Sequence, residues 1–149
     1  FSACTRVGAL SVGSNAEQVE WARLFGEYLG IAFQIRDDIF DYYDNKNIGK
    51  PTGNDMIEGK ITLPAIYVLN TFNDKWARGV AMKVRDGEAT MNEIKKLIEY
   101  TKEKGGIDYA TDKMYEYQSK AFQLLDNMVE SDIRTSLISF AEYVVDRKK

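Results

Sequence analysis

The chain is predicted to fold as an all-α protein, a helical bundle, on three observations. Proline occurs only at Pro51 and Pro64, so little interrupts a long helix. Apolar residues recur at three- and four-residue spacing through most of the 149 residues, and alternating strand-like runs are scarce. Capping residues and glycines punctuate that pattern where helices would end.

Residues 1–12 are mostly small and apolar, and Gly13-Ser14-Asn15 supply a break and an N-cap. Residues 16–43 carry Val19, Ala22, Phe25, Tyr28, Leu29, Ala32, Phe33, Ile35 and Ile39 at helical spacing. Such a helix spans roughly 40 Å, a length typical of large bundles. Residues 44–59 crowd glycines and asparagines together and predict an irregular, functional loop. Another helix is expected from Leu63 through Phe72, with Pro64 tolerated in its first turn. Residues 73–88 give a weaker signal, a short helix flanked by turns. Thr90-Met91-Asn92-Glu93 matches a capping box, and Ile94, Leu97, Ile98 and Thr101 then share a face that Gly105-Gly106 ends. Ile107, Ala110, Met114, Tyr117, Ala121, Leu124, Leu125 and Met128 form the next stripe. A final helix, capped by Ser131, presents Ile133, Leu137, Phe140, Ala141, Val144 and Val145. No repeat or internal boundary divides residues 1–149.

Composition narrows the chemistry. Apolar content of 44% and charged content of 29% describe an ordinary globular domain. A net charge of −3 without a dominant basic patch argues against nucleic acid as a partner. Cys4 is the single cysteine, so no internal disulfide can form, which fits a reducing, cytoplasmic setting. The absence of histidine removes imidazole acid–base chemistry and leaves oxygen-ligated hard cations as the natural metals. No apolar run reaches the roughly 20 residues of an integral membrane segment, and no signal peptide is visible. The start at Phe1, inside an amphipathic stretch, reads as part of a longer chain.

The most informative segment is Phe33-Gln34-Ile35-Arg36-Asp37-Asp38-Ile39-Phe40-Asp41-Tyr42-Tyr43-Asp44. With Asp37 at zero on a helical wheel, Asp44 falls near about −20°, Asp41 near 40°, Gln34 near 60° and Asp38 near 100°. Like charges so placed repel and call for a cation. Mg²⁺ is the natural choice, since it takes carboxylates while sharing phosphate oxygens. A solvated acidic face is the plain alternative, but the interleaved Ile39, Phe40, Tyr42 and Tyr43 suit a lined cleft better. Gly26 and Gly30 lie near the same meridian upstream, where missing side chains would admit either a crossing helix or a ligand tail. Lys50 and Lys60 flank the following loop as point charges for diphosphate oxygens, with Asp55 able to pair with either.

Phe33-Gln34, Asp37-Asp38-Ile39-Phe40-Asp41, Gly49-Lys50-Pro51, Gly53-Asn54-Asp55 and Gly59-Lys60-Ile61-Thr62-Leu63-Pro64 together resemble the second aspartate-rich motif of the trans-isoprenyl diphosphate synthase (polyprenyl synthetase) family and the loop that follows it. The lysine-bearing loop separates this resemblance from the terpene cyclases, which share the bare acidic motif. The resemblance implies an isoprenoid synthase-type bundle, with residues 1–149 forming the C-terminal part of one such domain. It implies a prenyltransferase, active as a homodimer when whole, that condenses isopentenyl diphosphate with an allylic diphosphate through Mg²⁺-assisted ionisation, condensation and proton loss. It implies Asp37, Asp38 and Asp41 as metal ligands, with Asp37 the leading direct one. Lys50 and Lys60 would be diphosphate-binding and catalytic, and Phe33 and Gln34 would face the allylic substrate, Gln34 with a catalytic role. The family's first aspartate-rich motif and the basic grip on isopentenyl diphosphate have no counterpart in this sequence, so the chain alone is expected not to turn over. A different class, a non-catalytic helical partner subunit of a prenyl synthase, is the rival reading. The terminal Arg147-Lys148-Lys149 is assigned to the negative end of the last helix rather than to substrate.

Overall fold

The computed structural model describes residues 1–43, 52–126 and 128–146, so Asp44, Lys50 and the terminal basic run lie outside the described residues. The described residues form eight α-helices and no strand. They are α1 (Ser2–Ser11), α2 (Ala16–Phe40), α3 (Asn54–Ile57), α4 (Leu63–Thr71), α5 (Lys75–Arg85), α6 (Met91–Glu103), α7 (Gly106–Asp126) and α8 (Asp132–Asp146).

Several boundaries have a local cause. The Asn15 side-chain oxygen accepts the Gln18 backbone amide at 2.9 Å, and the Gln18 side-chain oxygen accepts the Asn15 backbone amide at 3.1 Å, a reciprocal cap that starts α2. Thr90 and Glu93 form the expected capping box of α6. The Ser131 hydroxyl accepts the Arg134 amide at 3.2 Å and starts α8. The Asp74 carboxylate accepts the Ala77 amide at 2.9 Å, which makes the uncertain segment 73–88 a full helix, α5, with Ala77, Val80 and Val84 buried. Gly105 and Gly106 divide the labour between α6 and α7. Gly105, at φ 75°, turns the chain after α6, whereas Gly106 opens α7 against α4, where a Cβ would lie 2.6 Å from the Pro64 carbonyl oxygen.

The contacts group into two compact units. The first comprises residues 1–36 and the described residues from 113 onward. Its core is Phe25, Leu29, Ala32 and Ile35 of α2, Met114, Ala121 and Leu125 of α7, and Ala141, Val144 and Val145 of α8. The buried Gln118 amide donates to the Ala141 carbonyl at 3.3 Å, fixing α8 to α7 by a polar bond inside an apolar interface. Ile133 and Phe140, expected on the core face, are 68% and 47% exposed, because the inward face of α8 is the one carrying Ala141, Val144 and Val145.

Gly26 and Gly30 serve a crossing helix. A Cβ on Gly26 would stand 2.9 Å from the Phe1 carbonyl, and one on Gly30 would stand 3.1 Å from the Phe1 Cβ. The two glycines form the seat on which the start of α1 rests, and Phe1 and Phe33 meet there with ring centroids 5.1 Å apart.

The second unit, residues 37–112, packs α6 against α3, α4 and α5 around Ile39, Tyr42, Met56, Val68, Val84, Ile94, Leu97 and Ile98. Thr101 is fully buried in it, its hydroxyl satisfied by the Leu97 carbonyl at 2.8 Å. Among the described residues no helix is long and apolar enough to cross a membrane.

Candidate functional site

The acidic segment is the C-terminal end of α2, and its geometry follows from which neighbours are buried. Ile35 and Ile39 point into the protein at 6% and 3% exposure. Asp37, Asp38 and Asp41 are half-buried beside them, and Gln34 is exposed. The helix stops at Phe40, shorter than the expected end at 43, because the hydrogen bonding tightens: the Asp41 amide still reaches the Asp37 carbonyl at 3.3 Å, but the Tyr42 and Tyr43 amides bond three residues back, to Ile39 and Phe40, each at 3.1 Å.

Tyr42 anchors that turn. Its side chain is 2% exposed, and burial pushes the phenol well above its ordinary pKa, with the nearby Thr62 side chain and Ala65 backbone opposing the shift and Asp41 and Asp38 adding to it. Thr62 and Ala65 belong to the Gly59–Pro64 segment and the start of α4, so Tyr42 joins the acidic turn to the lysine-bearing one. Tyr43 instead faces out, with the Lys102 ammonium 5.0 Å from its ring centroid. Tyr42, Lys102, Thr52 and the α6 side chains Ile94, Lys95 and Ile98 line a cavity of 440 Å³. Nothing in the acidic motif foretold Lys102, which reaches the site from a helix far along the sequence.

The carboxylate of Asp41 is used by the backbone. Its two oxygens accept the amides of Asn54 and Asp55, each at 3.0 Å, and its carbonyl accepts the Gly53 amide at 2.9 Å. Three successive amides thus converge on one residue, and α3, a four-residue helix inside the expected loop, starts there. Gly53 adopts φ 80° to make that approach, against Ile98 and Ile94.

Lys60 is exposed and bonded to Glu58 at 2.7 Å, which raises its pKa; Asp55 acts on it more weakly through charge. The sequence offered Asp55 as a partner for either lysine; the ion pair of Lys60 is with Glu58, and Lys50 lies outside the described residues. Phe33 is half-buried against Phe1. Among the described residues no three acidic or thiol groups gather as the ligand set of one ion. Mg²⁺ does not require three: it is commonly held by one or two carboxylates together with waters and substrate phosphates. Two half-buried aspartates at the end of a helix fit that cation by donor chemistry, since carboxylate oxygens are ligands it prefers.

A long helix closing on aspartates, followed by a glycine- and lysine-bearing turn, places the chain with the all-helical isoprenyl diphosphate synthases. Residues 1–101 match the polyprenyl synthetase family, and the chain belongs to that family. It is similar to the geranylgeranyl pyrophosphate synthase of Bacteroides thetaiotaomicron, with a TM-score of 0.95 and 55% identity over 99% of this chain and 48% of that one. The polyprenyl synthase of Caulobacter crescentus, solved with calcium and isoprenyl diphosphate, superposes at a TM-score of 0.86 with 30% identity, over 100% of this chain and 46% of that one. The heptaprenyl diphosphate synthase component 2 of Bacillus subtilis is 31% identical over 144 residues, covering 96% of this chain and 40% of that protein. The chain therefore spans less than half the length of these relatives.

Proposed function

We propose that this chain supplies the second metal- and diphosphate-binding side of an all-trans polyprenyl diphosphate synthase. The observation that carries the reading is the physical union of the two motif halves: Asp41, at the end of the acidic helix, bonds Gly53, Asn54 and Asp55 of the turn that leads to Lys60. Support comes from the Caulobacter relative, which was solved with both a divalent cation and an isoprenyl diphosphate.

Asp37 and Asp38 would hold Mg²⁺, Asp37 directly, with Asp41 assigned by the motif as a third, direct or water-mediated ligand. When bound, the cation supplies Lewis-acid stabilisation to a leaving group whose charge grows as its bond breaks. Lys60 adds a positive point charge for diphosphate oxygens, and its exposed pairing with Glu58 is weak enough to exchange for that ligand. Lys50, outside the described residues, takes the same role from its place in the motif. Gln34, exposed one turn before Asp37, orients the allylic end, and Phe33 offers it an apolar surface. The bond to the allylic diphosphate breaks, the double bond of isopentenyl diphosphate forms the new carbon–carbon bond, a proton leaves and inorganic diphosphate is released. Turnover belongs to the whole protein, as a homodimer by family resemblance; this chain alone holds one side of the cluster and is not expected to turn over.

A second reading has an observation in its favour. One relative is named a component, so the chain could act as a subunit beside a separate one. Product chromatography with isopentenyl and farnesyl diphosphates tests both. Mg²⁺-dependent elongation by the whole protein, lost on Asp37→Ala, supports the enzyme. Elongation that appears only on adding a second chain and survives Asp37→Ala supports the subunit.

A further inference from the structure

We propose that Asp41 is a positioning residue: its carboxylate locks the segment from Gly53 to Lys60 onto the end of the acidic helix, and its part in diphosphate binding passes through that segment. The inference rests on the functional reading above and reassigns one of the three aspartates within it.

Both Asp41 oxygens are spent on backbone amides in near-equal bonds of 3.0 Å, to Asn54 and to Asp55. Charge-assisted bonds of this kind are about twice as strong as neutral ones, and two from one carboxylate fix direction as well as distance. The constraint then travels. The Asp55 carbonyl accepts the Lys60 amide at 2.8 Å, and Gly59, at φ 82°, makes the turn between them. The peptide from which the Lys60 side chain projects is thereby tied, through Asp55, to residue 41. Burial holds this segment through the Met56 side chain, whereas Ile57, Glu58 and Lys60 are exposed. Replacing the carboxylate would therefore free the lysine-bearing turn without touching the helix that carries Asp37 and Asp38.

The test is amide hydrogen exchange of the chain, read at Asn54, Asp55 and Lys60, beside calorimetric titration with Mg²⁺ and pyrophosphate. Asp41→Ala should raise exchange at all three amides about tenfold or more while Leu97 and Ile98 keep their protection. Asp41→Asn, which keeps one acceptor oxygen, should retain part of the protection and part of the affinity. Affinity that collapses in both variants while the three amides stay protected would overturn the proposal, because Asp41 would then act on the cation directly. Unchanged affinity with freed amides would overturn it equally. Should the wild-type chain bind no Mg²⁺–pyrophosphate, the functional reading falls, and the exchange data still decide the anchoring.

Discussion

Gly53→Ala should destabilise the protein by about 0.5–3 kcal/mol, from terms fixed by the structure. Gly53 sits at φ 80° and ψ 26°, the left-handed region, which costs an L-residue about 1–2 kcal/mol. A new Cβ would lie 2.6 Å from the Ile98 Cδ1 and 3.2 Å from the Ile94 Cγ2. Ile98 presents the far end of a flexible side chain, so relief by rotation costs about 0.5–1.5 kcal/mol rather than a backbone shift. Reduced freedom of the unfolded chain returns about 0.4–1 kcal/mol. Urea denaturation followed by circular dichroism measures the balance as a lowered midpoint at unchanged slope. The same variant should loosen the Asn54 and Asp55 amides, because the glycine is what brings them to Asp41. An unchanged or raised midpoint would refute the reasoning, showing that the turn tolerates a side chain.

Three further expectations follow from local geometry. Thr90→Ala should cost about 1 kcal/mol in the same denaturation assay, through loss of the α6 cap. Gly106→Ala should cost about 1–3 kcal/mol by overpacking, because a Cβ there meets the Pro64 carbonyl oxygen at 2.6 Å, the methyl of the fully buried Thr101 at 2.7 Å and the Thr101 carbonyl oxygen at 3.0 Å. Acid should weaken the fold in a defined window. The Lys83 bond and the Thr90 cap hold the Glu93 carboxyl at about 2, against an ordinary 4.5, and Lys113 and Lys120 hold Glu116 equally low. The unfolded chain binds these protons first, so both contributions are complete above pH 4.5 and are lost as pH falls towards 2. Denaturation midpoints measured across that range should fall, and Glu93→Gln should flatten part of the slope.

The helices were legible where periodicity and caps coincided. Thr90 with Glu93, Ser131, and Asn15 all cap as their residue types require. α5 was blurred by Gly79 and four basic residues, although Asp74 ahead of Ala77, Val80 and Val84 held the cap and the stripe. α3 lay hidden because its cap is Asp41, thirteen residues upstream of Asn54 and invisible to any local rule. The motif located Asp37, Asp38 and Asp41 but not the division among them. A helical wheel places carboxylates on a face and says nothing of backbone amides returning to one of them. Gly26 and Gly30 fitted two uses equally until the position of Phe1 decided between them. Ile133 and Phe140 misled because α8 is apolar on more than the face it buries.

Calorimetric titration of pyrophosphate into the chain, with and without Mg²⁺ and with Asp37→Ala alongside, decides whether the acidic helix end holds a cation against diphosphate. Binding heat should require Mg²⁺ and vanish in the variant while its helical spectrum is unchanged. Binding that ignores Mg²⁺, or that survives the loss of Asp37 intact, would contradict that role.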